Sequence, residues 1–127
     1  MKRNNRYNMK KLTATEEQIM QLIWDENPII VSEIISKLPP PKPPHSTISS
    51  VVRILEKKGF VDHKAYGRTH VYFPIIAKED YTKRSIKTLI TDYFKGSPSA
   101  LVSFLIKEKE IDEKEINDLI NAIKDDE

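Results

Sequence analysis

The chain has 127 residues, 39% of them hydrophobic and 31% charged, a net charge of +2 and no cysteine. That length holds one domain, or one small domain with an appended interaction segment, and leaves limited room for an enclosed catalytic pocket. Without Cys there are no disulfides, thiolate nucleophiles or thiolate metal sites, and with neither a long apolar run nor an apolar-cored leader the chain reads as cytoplasmic, with no membrane insertion.

Charge is unevenly spread. Residues 1–75 carry 12 Lys/Arg against 7 Asp/Glu, net +5, whereas residues 76–127 carry 9 against 12, net −3. The split suggests a basic front that faces a polyanion and an acidic rear with another task. Residues 1–11 hold Lys2, Arg3, Arg6, Lys10 and Lys11 with little that can be buried. They read as an untied, disordered terminus, or alternatively as a basic arm lying along DNA.

Thr13-Ala14-Thr15-Glu16 fits a capping box that opens a first helix, with Leu12 as the preceding staple. Ile19, Met20, Ile23 and Trp24 share one face, which makes Trp24 a packing residue rather than a stacking platform. Asp25-Glu26-Asn27-Pro28 ends the helix, and Ile29-Ile30-Val31 is a short β-branched run. Ser32 is placed to cap a second helix, Glu33 to Leu38, with Ile34, Ile35 and Leu38 inward. Pro39 to Pro44 cannot continue a helix and forms a stiff connection, in which Lys42 is a candidate phosphate contact.

Residues 46–58 put two chemistries on one helix. Ile48, Val51, Val52 and Leu55 follow the spacing of a buried stripe, while Ser46, Ser49, Ser50, Arg53 and Lys57 on the far side are small hydroxyls and cations suited to base edges and phosphates. Gly59 stops the helix as a left-handed residue would. The period then changes: residues 60–65 and 69–74 are β-prone runs joined through Tyr66-Gly67-Arg68, a hairpin with Lys64 and Arg68 about its tip. Helices, turn, helix and cationic hairpin make up the winged helix-turn-helix plan, in which the third helix enters the major groove and the wing grips the backbone. His63 and His70 lie on the hairpin and His45 ahead of the helix, with no carboxylate or thiol at ligand spacing, so neither a metal site nor a cofactor is expected.

The rear half reads as three helices. Asp80 to Lys95 carries Ile86, Leu89, Ile90, Tyr93 and Phe94 on one stripe; Ser97-Pro98 caps a segment containing Leu101, Val102, Phe104, Leu105 and Ile106; Asp112 and Glu115 cap a last helix with Ile116, Leu119, Ile120 and Ile123. So much apolar surface on short helices predicts a two-fold partner, the alternative being that the helices fold back on the winged half. The expected organisation is thus a basic arm at 1–11, a winged-helix DNA-binding domain at 12–75 and a helical dimerisation region at 76–127, mostly α with one small β-hairpin.

Ile23-Trp24, Thr47-Ile48, the run Lys57 to Lys64, and Phe94-Lys95-Gly96 with Leu101-Val102 together resemble the BlaI/MecI family of penicillinase and methicillin-resistance repressors, over about residues 12–124. The order of these motifs gives the resemblance its specificity. It implies a dimeric winged-helix repressor that binds a palindromic double-stranded operator and controls a β-lactam-resistance or cell-wall-stress gene. The family's Thr in the recognition helix lands on Thr47 and a second falls where Ser50 stands. Typical members carry Arg at the position of Ile54, whereas here Arg stands at 53. The resemblance also implies release through a membrane sensor peptidase system and cleavage at an Asn-Phe bond; aligned without gaps, that bond falls at Phe104-Leu105, with Ser103-Phe104 one residue away and no Asn present. The cysteine cluster of copper-responsive relatives is missing, which excludes thiolate copper sensing. No convergent acid, base and nucleophile suggests an enzyme. The competing reading is a winged-helix module that binds protein, which would favour carboxylates or exposed apolar residues on the outward helix.

Overall fold

A computed structural model describes residues 10–108 and 112–125, apart from the side chains at 119, 120 and 123–125. The order is α1 (Ala14–Asp25), α2 (Val31–Ser36), α3 (His45–Lys57), β1 (Val61–Tyr66), β2 (Thr69–Pro74), α4 (Lys78–Phe94), α5 (Pro98–Lys107) and α6 (Glu113–Asp125). Residues up to Thr82 form one compact unit and those from Lys83 onward a second. Most of the basic terminus considered above, residues 1–9, lies outside the described residues.

In the first unit α1 opens as its sequence requires. Thr13 Oγ1 accepts the Glu16 N–H at 3.2 Å, and Glu16 Oε1 accepts the Thr13 N–H at 3.0 Å. The same Glu16 oxygen meets Lys58 Nζ at 2.6 Å, and Lys58 also donates to the Lys11 carbonyl at 2.9 Å. One ammonium thereby ties the start of α1 to the end of α3. The helix buries Ile19, Met20 and Ile23 against Ile34, Leu38, Ile48, Val52 and Leu55. Each such residue contributes about 1.5–3 kcal/mol through apolar area removed from water. Trp24 packs at the edge of this core, its Nε1–H donating to the Ile76 carbonyl at 2.9 Å and its ring 5.4 Å from Tyr81.

Two local expectations need correcting. Ser32 does not cap α2: the helix starts two residues earlier, Ile30 is the N-cap, and the carboxylate of Glu33 accepts the Ile30 N–H at 3.0 Å. Glutamate three residues on supplies the cap without a hydroxyl. Likewise α3 begins at His45, because Pro44 in extended conformation serves as its N-cap. The run Ile29-Ile30-Val31 makes a single antiparallel bridge, with Ile29 N–H to Tyr72 O at 3.0 Å and Tyr72 N–H to Ile29 O at 2.8 Å, which anchors the hairpin beside the helices.

The α3-to-wing turn is a complete Schellman closure. Phe60 N–H reaches Leu55 O at 2.9 Å, Gly59 N–H reaches Glu56 O at 3.0 Å, and Gly59 takes φ +87°, a conformation that disfavours a side chain. Phe60, immediately after, is fully buried. In the wing Val61 pairs with Pro74, Ala65 with His70 and Tyr66 with Thr69, leaving a two-residue turn at Gly67-Arg68. Gly67 at φ +64° supplies the positive φ that a tight hairpin turn needs at its first central position.

The second unit is built differently. Ser97 Oγ accepts the Ala100 N–H at 3.1 Å with Pro98 at the first position of α5, and Asp112 with Glu115 forms the capping pair of α6. Phe94 and Phe104 rings lie 5.7 Å apart. No residue of α4 or α5 is fully buried, and Ile86, Leu89, Tyr93, Phe104 and Ile106 are exposed.

Candidate nucleic-acid interface

With Ile48, Val52 and Leu55 of α3 turned into the core, the rise of roughly 100° per residue fixes the other side chains. His45, Ser49 and Arg53, four apart, run down the flank that faces the wing. Ser46, Ser50 and Lys57 stand outward, and Thr47 with Ile54 occupy the opposite flank; all of these except Ser49 are exposed. No acidic side chain interrupts these positions, since the one carboxylate of α3, Glu56, is turned toward β1.

Between α3 and the wing lies an open groove of about 320 Å³. His45, Ser49 and Arg53 form one wall and Arg68, Thr69, His70 and Tyr72 the other, with Ile30, Val31 and Ser32 at the end of the groove; none of the ten lining residues is acidic. Ser49 Oγ lies 3.2 Å from His45 Nδ1, so the hydroxyl orients that imidazole. Tyr72 is buried, and burial, reinforced by the charge of Glu56 and opposed by Arg53, pushes its hydroxyl above the usual phenol range. It is a neutral donor at physiological pH. Two guanidinium groups, two imidazoles and several hydroxyls converging without a carboxylate suit a phosphate-bearing chain.

Arg53 and Arg68, expected as contacts, are thus brought together with Ser49. Ser46, Thr47, Ser50 and Lys57 stand on the outward surface of α3 rather than in the groove. Lys64 is separated from Arg68: alternation along β1 puts it on the other face of the hairpin, where it lines a shallow hollow of about 400 Å³ with Pro28, Tyr66, Val71 and Phe73. Lys42 donates to the carbonyls of Ile35 at 3.2 Å, Ser36 at 3.1 Å and Leu38, so its ammonium closes the end of α2.

The groove also contains residues that the sequence alone did not name as DNA contacts, among them Ser32, His45, Thr69 and His70. The hairpin register could have found His70. A two-residue turn pairs Ala65 with His70, which fixes the face that position 70 presents. It also stacks His70 on His63, with ring centroids 4.1 Å apart and planes 13° from parallel. The expectation that no carboxylate lies near the histidines fails for His63. Glu56 Oε1 is 2.8 Å from its Nδ1 and Asp62 is adjacent, the three offering ligand atoms within 4.8 Å of one another. Periodicity hid this, because Glu56 and His63 lie on different elements across the Gly59 turn. In the fold Glu56 and His63 satisfy each other as a bracket between α3 and β1.

In the second unit Ile86, Leu89 and Tyr93 are exposed, and Ile90, Phe94, Leu101, Leu105 and Ile116 are half-buried. The side chains of Leu119 and Ile120 lie outside the described residues. Ser103 and Phe104 are exposed and Leu105 half-buried, all three within helix α5.

The family model described as penicillinase repressor matches residues 12–125. The methicillin resistance regulatory protein MecI of Staphylococcus aureus (strain N315) is 25% identical over 114 residues, covering 89% of this chain and 93% of that protein. The penicillinase repressor of Bacillus licheniformis is 27% identical over 125 residues, covering 92% and 94%. Among solved structures, the solution structure of the DNA binding domain of the repressor BlaI superposes with a TM-score of 0.51 at 30% identity, covering 64% of this chain and 94% of that one. With a family model spanning both the winged unit and the helices behind it, the chain belongs to the penicillinase repressor family.

Proposed function

We propose that the chain is a DNA-binding transcriptional repressor that occupies a two-fold operator as a homodimer. The observation that carries this reading is the carboxylate-free groove lined by Arg53 of α3 and Arg68 of the wing turn. In this arrangement the outward residues of α3 enter the major groove, with Ser46, Thr47 and Ser50 toward base edges. A strand of the backbone passes between helix and wing, held by Arg53, Ser49, Arg68 and Thr69. Lys57 and Lys64 add phosphate contacts on either side, and Lys42 adds one by giving up a carbonyl of α2. Ile54, apolar and 42% exposed, offers methyl groups to a thymine.

The exposed stripe of α4 and the apolar face of α5 pair with those of a second copy, setting the spacing of two half-sites. The names of the relatives, a methicillin resistance regulatory protein and a penicillinase repressor, support a regulatory target in β-lactam or methicillin resistance. Release follows an upstream sensor signal. If it includes cleavage near Ser103 and Phe104, α5 must first open locally, because the segment is helical.

Selection of bound sequences from random duplex DNA, followed by titration at two salt concentrations, tests the reading. A palindromic motif bound tightly and with steep salt dependence supports it. Weak binding without a motif overturns it and directs the search to a protein partner for the wing.

A further inference from the structure

All three histidines of the chain lie at or beside one groove. His45 and His70 line it from opposite walls, and His63 stacks on His70 from behind. Imidazole is the side chain whose charge ordinarily changes between pH 5 and 8, so this placement puts proton-dependent charge where the proposed backbone contact is made. We propose that His45 and His70 are phosphate ligands that bind in their protonated form, with His63 as a positioning residue, so that DNA binding takes up protons and strengthens as pH falls.

The inference rests on the DNA-binding reading above and adds what decides the charge. Arg53 and Arg68 share the groove with both imidazoles and no carboxylate lines it, so an entering phosphate is the anion to which all four side chains can donate. The counter-charges of the stacked pair stand on the His63 side: Glu56, on α3, is 2.8 Å from His63 Nδ1, and the carboxylate of Asp62 lies within 4.8 Å. Neither lines the groove, into which His70 faces with its ring 4.1 Å from that of His63. A phosphate entering the groove supplies an anion on the side of His70. Tyr72 on β2 stays a neutral phenol, and Asp62 on β1 has one carboxylate oxygen tied to the His63 N–H at 2.8 Å. On the opposite wall Ser49 occupies His45 Nδ1, which leaves Nε2 as the nitrogen for phosphate.

The test is affinity for the selected duplex, by fluorescence anisotropy at constant ionic strength from pH 6 to pH 8. The unmodified protein should bind about three- to tenfold more tightly at pH 6, since one unit of pKa displacement on binding corresponds to a factor of about ten. The double variant H45Q/H70Q should lose most of the pH dependence and bind at pH 6 no more tightly than the unmodified protein does at pH 8, because glutamine retains a donor without the charge. H63Q, checked for an unchanged thermal transition, should lose part of the slope through its loosened neighbour. Tight binding with a flat profile in the unmodified protein, or a full slope retained by H45Q/H70Q, overturns the proposal. An H63Q profile identical to that of the unmodified protein removes His63 from it. Failure to bind either the selected or a mixed-sequence duplex at every pH would instead defeat the DNA-binding reading itself.

Discussion

The two units of the chain use apolar residues in opposite ways. Residues 12–82 draw Leu12, Ile19, Met20, Ile23, Ile29, Val31, Ile34, Leu38, Ile48, Val52, Leu55, Phe60, Val61, Tyr72 and Ile76 into one buried cluster from helices, loops and hairpin. Residues 83–108 carry a comparable run of large apolar side chains, yet Ile86, Leu89, Tyr93, Phe104 and Ile106 remain exposed. A cluster drawn from many elements specifies its own fold, because each member fits a space defined by the others. A stripe along α4 specifies a surface and leaves the choice of what covers it to association. The front is thus self-sufficient in packing, and on the proposed dimer reading the rear is the part whose stability should depend on protein concentration.

The largest test of that contrast is Phe60→Ala. The ring is fully buried where α3 turns into the wing, so its loss should cost about 3–5 kcal/mol in urea unfolding followed by Trp24 fluorescence, with a midpoint independent of protein concentration. Trp24 is the single tryptophan and reports the front unit alone. Next in size is Leu89→Asp with Tyr93→Asp. In the proposed dimer these would remove central apolar contacts, each worth about 2 kcal/mol or more, so sedimentation should show a dimer for the unmodified chain and a monomer for the variant. Trp24 fluorescence should barely change. A monomeric unmodified protein, or a front unit that unfolds with these substitutions, would break the contrast.

The sequence and the structure coincide where local chemistry decides and part where two elements meet. The capping box at Thr13 and Glu16, the stop at Gly59, the stripe of α3 and the existence of the hairpin are legible because each depends on residues within one turn or one strand of one another. Glu16 with Lys58, Glu56 with His63 and Lys42 with the end of α2 are illegible in the same text, because each joins groups whose proximity is created by the fold. The groove follows the same rule. Arg53 and Arg68 could be named as cations from the sequence, but which of Lys64 and Arg68 shares a wall with Arg53 depends on hairpin register and face.

That distinction sets the third prediction. Arg53→Ala should weaken operator binding by about 1–3 kcal/mol. A loss confined to the selected sequence places Arg53 on a base, whereas a uniform loss with the salt slope reduced by about one places it on phosphate. Lys64→Ala, from the other face of the hairpin, should cost less and act on all sequences alike. Equal losses at 53 and 64 would show that the groove is not the principal contact.

The smallest expected effect concerns the bracket between α1 and α3, and it separates the units by pH. Glu16 is held below the usual carboxylate range, first by the hydrogen bond from Lys58, with Thr13 also contributing and burial opposing. A depressed folded-state pKa means that the stabilisation is present above the unfolded value, near 4.5, and is lost as pH falls through the lower folded value. Between pH 5 and pH 3 the Trp24 transition should therefore fall ahead of any loss attributable to α6, whose described ion pair, Lys114 with Asp118, is exposed. Glu16→Gln removes the charge and leaves Lys58 with the Lys11 carbonyl, at a cost of about 1–2 kcal/mol for a pair only partly screened from water. The substitution should also flatten the acid dependence read by Trp24 while leaving the concentration dependence of assembly unchanged. If the acid transition keeps its position in Glu16→Gln, the bracket contributes no pH-dependent stability, and acid sensitivity of the front must reside in its other carboxylates.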